Sequence, residues 1–189
     1  GSFPSATIVS GATDFGLWVT KKLYKPAHII LTKYCKELVS INLESDRIEV
    51  GASVSIEDFG NILISEYSEL REWLKRFGGP QVRCSGTVGG NIANGSPIGD
   101  SSPVLIALGA SLKLRSRHAE RIIPIEDFFI EYGKQDLHPD EVLVSVLVPR
   151  RSDIKRLVVE KISKRHDQDI SIVLAAMVEL YSGVSRYRF

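Results

Sequence analysis

TVGGNIANGSPIGDSSPVLIALGA, residues 87–110, decides how this chain is read. Glycines at 89, 90, 95 and 99 alternate with Asn91, Asn94, Ser96, Ser101 and Ser102. Backbone without Cβ atoms approaches a ligand closely, and short amides and hydroxyls add donors and acceptors without bulk. The apolar run from Pro103 to Ala110 predicts the helix that follows, with Asp100 or Ser101 as its N-cap. A loop of this kind meeting a helix start suits a phosphate or a ribityl group, since open N–H groups and the helix dipole point there. A tight connection between packed elements is the plainer alternative. The density of glycines and hydroxyls favours a ligand.

Upstream of this stretch, Ala6–Ser10 and His28–Thr32 read as strands. The second is almost wholly apolar and is expected to be buried on both faces. Arg47–Ala52 reads as a third strand of the same small parallel unit. Gly11–Asp14 breaks the first strand, and Phe15–Lys22 can start a helix capped by Thr13 or Asp14. Ser55 with Asp58 forms a capping box ahead of Ile56, Phe59, Ile62 and Leu63, which share one helical face. Ser68–Phe77 places Leu70, Trp73, Leu74 and Phe77 on another such face. Downstream the period becomes two. Ser111–Arg115 and Arg121–Ile125 flank a polar turn, and Glu141–Val148, Leu157–Ser163 and Ile170–Tyr181 follow. Five strands at this spacing predict an antiparallel sheet with one covered face. The fold class is α+β: a small parallel β/α lobe over residues 1–54 and a second lobe with helices and the five-stranded antiparallel sheet over 55–189.

A net charge of +1 over 189 residues gives no electrostatic case for nucleic acid or an anionic membrane. No apolar run approaches the roughly 20 residues that span a bilayer. Cys35 and Cys84 are too few and too far apart for a disulfide framework or a zinc site, and they fit a reducing cytoplasm. Gly1 and Ser2 read as vector-derived, and strand-like residues close to both ends suggest a module cut from a longer polypeptide.

Two glycine-bearing loops, Val9–Asp14 and Val88–Asp100, would hold a long phosphate-bearing ligand between the lobes, which suggests a dinucleotide. VSGATD is not the GxGxxG of a Rossmann nicotinamide site, and GxSxG is absent, so a hydrolase elbow is excluded. His28 reads as a core residue, His118 and His138 fall in polar turns, and Cys84 reads as a small filler. KISKRHDQDIS, residues 161–171, is either a solvated loop or a set of cations facing an anionic ligand.

VSGATDFG, then GTVGGNIANGSPIGDSSPVLIALGA, then EKISKRHDQDIS together resemble the FAD-binding domain of the molybdenum hydroxylases. Within that family they resemble the flavin-carrying part of the small subunit of bacterial xanthine dehydrogenases. The resemblance implies a two-lobe, PCMH-type FAD-binding fold. It implies that Val9, Ser10, Gly11, Ala12, Thr13 and Asp14 wrap the FAD pyrophosphate, and that Phe77 packs on the isoalloxazine ring. It carries Thr87, Gly90, Asn91, Ser96 and Asp100 over to the phosphate, ribityl and adenosine portions, and Leu143 to the adenine side. Lys161 matches a lysine near the flavin whose charge favours the reduced ring, a catalytic role. Residues 164–169 match a mobile loop that bears on the choice between NAD and oxygen. The implied partners are a molybdenum-binding large subunit and an iron–sulfur domain, with NAD as acceptor; the iron–sulfur domain and a C-terminal lobe lie outside this chain. The flavin subunits of carbon monoxide dehydrogenase and hydroxybenzoyl-CoA reductase share both loops. A folded fragment that holds no flavin is the remaining alternative. Ala12 stands where many members carry glycine, and Gly99 where a serine is common.

Overall fold

The computed structural model describes residues 5–183 and 185–188. Gly1 and Ser2, read above as vector-derived, lie outside the described residues. The chain opens with β1 (Thr7–Val9), α1 (Phe15–Lys21) and β2 (Ile29–Leu31), and the two strands pair in parallel. This is the small parallel unit expected. Its exposure is not. Ile29, Ile30 and Leu31 are 45–51% exposed, and His28 beside them is exposed too. A two-stranded sheet has too little of itself to cover both faces, so an apolar run need not be an interior one.

Arg47–Ala52, expected as a third parallel strand, joins a different sheet. β3 (Ile41–Leu43) and β4 (Arg47–Gly51) form an antiparallel pair, and β4 then pairs antiparallel with the much later β9 (Val142–Pro149). β5 (Ser111–Arg115) pairs with the other side of β9, and β6 (Glu120–Pro124) closes the expected hairpin on β5. The five-stranded antiparallel sheet thus runs β3-β4-β9-β5-β6. Its members differ from those foreseen. The strands expected near 157–163 and 170–181 are β10 (Ile154–Ile162) and β11 (Val173–Leu180), which form a separate antiparallel sheet with β12 (Ser185–Arg188). Phe129–Glu131 (β7) and Lys134–Gln135 (β8) make a small ribbon.

Alternation fixes which face is covered. Ile48 and Val50 on β4, and Leu112 and Leu114 on β5, are fully buried at every second position. β9 is buried from Leu143 to Val148 because it is the central strand of the five. The same core takes in α2 (Ile56–Glu66), started by Ser55, whose hydroxyl accepts the Asp58 N–H at 3.0 Å. Its Ile56, Phe59 and Leu63 are buried as their spacing requires. The next apolar stripe is a 3-10 turn, Ser68–Leu70, followed by α3 (Arg71–Lys75). α4 (Pro80–Ser85) follows with Pro80 in its first turn, a short helix that no periodicity announced.

The decisive stretch is itself more helical than a loop reading predicts. Val88–Asn94 is α5, with Thr87 as N-cap accepting the Gly90 N–H at 3.2 Å and Gly95 ending it in the left-handed conformation. Gly89 is there for packing: a Cβ would sit 2.5 Å from that of Ala52, at the end of β4. α6 begins at Ser101 and runs to Leu108, with Asp100 in the N-cap position but making no capping bond.

The β6 end of the sheet is pinned by ions. Arg121 reaches Glu141 in bidentate fashion, at 2.8 Å for both bonds, and Asp136 at 2.6 Å. Glu141 is almost wholly buried, also accepts the His138 N–H at 2.9 Å, and is held down to about 2, chiefly by its bonds from Arg121. A lowered carboxyl stabilises the fold above the ordinary range of glutamate and loses that contribution as pH falls toward its folded value. Stability should therefore fall between about pH 4.5 and 2, and Glu141→Gln should flatten this limb while costing about 2 kcal/mol at neutral pH. Urea unfolding of both proteins across that range checks it.

Candidate functional site

A cleft of about 390 Å³ lies between the turn after β1 and the start of α5. On one side the chain leaves β1 at Val9 and runs through Ser10–Asp14 into α1. Among the described residues, none accepts a hydrogen bond from the backbone N–H groups of residues 10–15. Ala12 has φ +59°, a left-handed residue of the kind that makes successive N–H groups converge into an anion-binding concavity. Ser10 Oγ is buried and has no hydrogen-bond partner. This loop is seated by Gly11, where any Cβ would collide with the Ser85 carbonyl oxygen at the end of α4.

The facing wall is built from Thr87, Gly90, Asn91 and Asn94, with Phe77 and Val82 beside them. Its helix start is not the open anion site that the sequence suggests. Val88 N–H donates to Val54, Gly89 N–H to Ala52, and both Gly90 and Asn91 N–H groups to Thr87. The open donors are on the first loop instead. Asn91 Oδ1 accepts from Ser101 Oγ at 2.7 Å, which orients the amide and leaves its NH₂ for another partner.

The structure thus brings Val9, Ser10, Gly11, Ala12, Thr13, Asp14, Phe77, Thr87, Gly90 and Asn91 to one cleft. Ser96, Asp100, Leu143 and Lys161 do not line it. Ser96 Oγ accepts the Ile98 N–H at 3.4 Å in the turn before α6. Leu143 is buried on β9 within the core. Lys161, expected as an open cation, is 3% exposed at its side chain and has its ammonium 2.6 Å from Asp100 Oδ2. Its charge is paired with the carboxylate of Asp100, which the family resemblance carried over to the ligand. Cys84, expected as a filler, is exposed on α4.

The second oxygen of Asp100 accepts from Ser171 Oγ at 2.5 Å, and its carbonyl accepts from Trp73 Nε1 at 3.0 Å. Lys161 also donates to the Arg76 carbonyl at 2.9 Å. Residues 161 and 171 bracket KISKRHDQDIS, so one carboxylate closes the base of that loop. The Arg76 guanidinium holds its interior, donating to the Lys161 and His166 carbonyls and to Ser163 Oγ. The Gln168 side chain, from a residue at φ +53°, lies 3.3 Å from where a Cβ on Gly79 would stand. The charged loop is therefore anchored two residues from Phe77, and the solvated-loop reading describes only its tip. Arg76 and Ser171 carried no signal in sequence, because their roles depend on contacts about 70 to 90 residues away. Phe15 and Trp18, which also line the cleft, were legible only as a helix start.

Residues 2–151 match the family model described as the FAD binding domain in molybdopterin dehydrogenase. The chain belongs to that family. The xanthine dehydrogenase of Oryza sativa subsp. japonica is 32% identical over 187 residues, and that of Calliphora vicina 34% identical over 192. Each match covers 93% of this chain and 14% of the relative, so the chain spans about one seventh of these proteins. Among solved structures, carbon monoxide dehydrogenase from Hydrogenophaga pseudoflava superposes with TM-score 0.89 at 27% identity, over 97% of this chain and 66% of that one. Quinoline 2-oxidoreductase from Pseudomonas putida 86 shares the fold with TM-score 0.84 at 24% identity, over 93% and 61%. No described helix is long and apolar enough to cross a membrane.

Asp100→Ala would leave the Lys161 ammonium buried without its partner, which should cost about 3–5 kcal/mol of stability. The double change Asp100→Ala with Lys161→Met should recover a large part of it. Chemical denaturation of the three variants checks both statements, and equal loss in the single and double variants would contradict the pair.

Proposed function

We propose that this chain is the flavin-holding module of a xanthine dehydrogenase-like oxidoreductase. Bound FAD would there supply electron transfer between the iron–sulfur clusters of a neighbouring domain and NAD. The observation that carries this reading is the turn at residues 10–15, which lines the cleft and whose backbone N–H groups have no acceptor among the described residues. A diphosphate matches that donor set: it accepts hydrogen bonds only, and fixed dipoles bind it without bringing a mobile cation. The buried Ser10 hydroxyl supplies one further donor, an orphan that a phosphate oxygen would satisfy. Asp14 is an acceptor and suits a hydroxyl or a ring N–H of the ligand. Across the cleft, Asn91 offers its oriented NH₂ to the ribityl chain, and Phe77 offers a ring face to the isoalloxazine.

Lys161 acts in this reading as a positioning residue. Its pairing with Asp100 fixes the start of α6 against the end of β10, and through Arg76 it sets the backbone that presents Phe77. Ser96 and Leu143 contribute through the turn before α6 and through the core. The fit to carbon monoxide dehydrogenase supports the same module with a different parent enzyme, and the partners would be a molybdenum-binding subunit in either case.

Absorbance near 450 nm after incubation with FAD and desalting tests the assignment. Wild type should retain the band. Gly11→Ala, which drives the loop off Ser85, should lose it, whereas Gly16→Ala, with nothing within 4 Å of the added methyl, should keep it. Equal retention in both variants would remove the 10–15 turn from the site.

A further inference from the structure

α1 has an unusual balance of composition and environment. Phe15, Leu17, Trp18 and Val19 make most of its seven residues apolar, yet none of the helix is buried. Leu17 and Val19 are 52% and 39% exposed. Phe15 and Trp18, one helical turn apart, both line the cleft. Their rings are braced against each other and against Tyr24 in a three-way edge-to-face cluster, with centroids 6.1, 6.4 and 6.3 Å apart. In each edge-to-face pair the edge of one ring rests on the face of the other, so the three contacts use at most three of the cluster's six faces. The Tyr24 hydroxyl lies 3.4 Å from Thr7 Oγ1, which ties the cluster back to β1. The Lys22 ammonium stands over one face of Trp18, 5.9 Å from its centroid, so a stacked ring would take the other face.

We infer that Trp18, supported by Phe15 and Tyr24, is the stacking wall for a planar heteroaromatic ring of the ligand whose diphosphate sits on the adjoining 10–15 turn. This deepens the reading of the cleft given above and rests on it. The geometry favours it over a core role, because a core aromatic is covered by its own chain and this helix is not. The position adjoins the diphosphate turn directly, so a ring one pentose or ribityl unit from the diphosphate is within reach. A dinucleotide has two such rings, a purine and an isoalloxazine. Stacking on an aromatic face serves either one, because both present a π-surface.

Isothermal titration with three probes tests the inference: inorganic pyrophosphate, ADP and FMN. Trp18→Leu keeps an apolar side chain and removes the ring, and Trp18→Phe keeps a ring. Trp18→Leu should weaken ADP or FMN about tenfold, Trp18→Phe should bind both within about twofold of wild type, and neither variant should alter pyrophosphate. Whichever nucleotide is weakened identifies the ring at the wall. Unchanged ADP and FMN affinities in Trp18→Leu would overturn the stacking role while leaving the diphosphate site intact. Wild type that binds none of the three would overturn the cleft assignment itself.

Discussion

The carboxylate of Asp100 joins segments that the chain keeps far apart. Oδ2 holds Lys161 at the end of β10, Oδ1 holds Ser171 on the far side of the charged loop, and the carbonyl of the same residue holds Trp73 on α3. The three partners come from separate stretches of the chain. A buried ion pair is costly to desolvate and is tolerated where further hydrogen bonds satisfy both charges. Here they do: Lys161 adds the Arg76 carbonyl and Asp100 adds the Ser171 hydroxyl. The gain is registry. α6, which follows Asp100 directly, lies over β11 and β12, and the pair fixes where the β10–β11 hairpin meets it. Arg76 then carries that registry to Phe77, its neighbour in sequence.

From this frame the division of labour across the cleft follows. The wall at Thr87–Asn94 is internally satisfied: its N–H groups are spent on Thr87 and on the β4 end, so it presents side-chain amides and a glycine surface. The turn at 10–15 is internally unsatisfied and presents backbone donors. One side is rigid and nearly neutral, the other rich in oriented dipoles. That asymmetry suits a ligand with a compact anionic centre and planar, apolar ends, which is the chemistry of a dinucleotide. Ala12 is the point of tension in the arrangement. A left-handed φ at a residue with a Cβ is disfavoured by roughly 1–2 kcal/mol, so the turn keeps that shape only because the flanking contacts impose it.

Much of this was legible in the sequence, and the failures have physical causes. The capping box at Ser55, the stripe at Ile56, Phe59 and Leu63, and the hairpin around residue 118 are local patterns, and the structure keeps all three. The membership of sheets was not. Ile48 and Val50 alternate with polar residues, and alternation says that one face is covered without saying which strand lies alongside; β9, nearly a hundred residues later, supplied the partner. The run at 29–31 is apolar yet exposed, because hydrophobicity reports a tendency to be covered and not the cover itself. Within the cleft, glycine density pointed to the wall at Thr87–Asn94 and away from the turn that holds the open donors. Gly89 serves packing against Ala52, and the open N–H groups belong to a turn with only one glycine, Gly11. Lys161 and Asp100 each read as ligand residues from their motifs. Their mutual contact, 61 residues apart in the chain, becomes visible only in three dimensions.

The central claim is that the backbone of residues 10–15 is the anion-binding element of a flavin site. Amide hydrogen exchange measured residue by residue, with and without FAD, tests it most directly. The amides of residues 10–15 have no acceptor among the described residues, so they should exchange fast in the free chain and be strongly protected when FAD is added. The N–H groups of Val88 and Gly89, already bonded to Val54 and Ala52, should change little. Protection that appears at α5 while residues 10–15 continue to exchange fast would contradict the account.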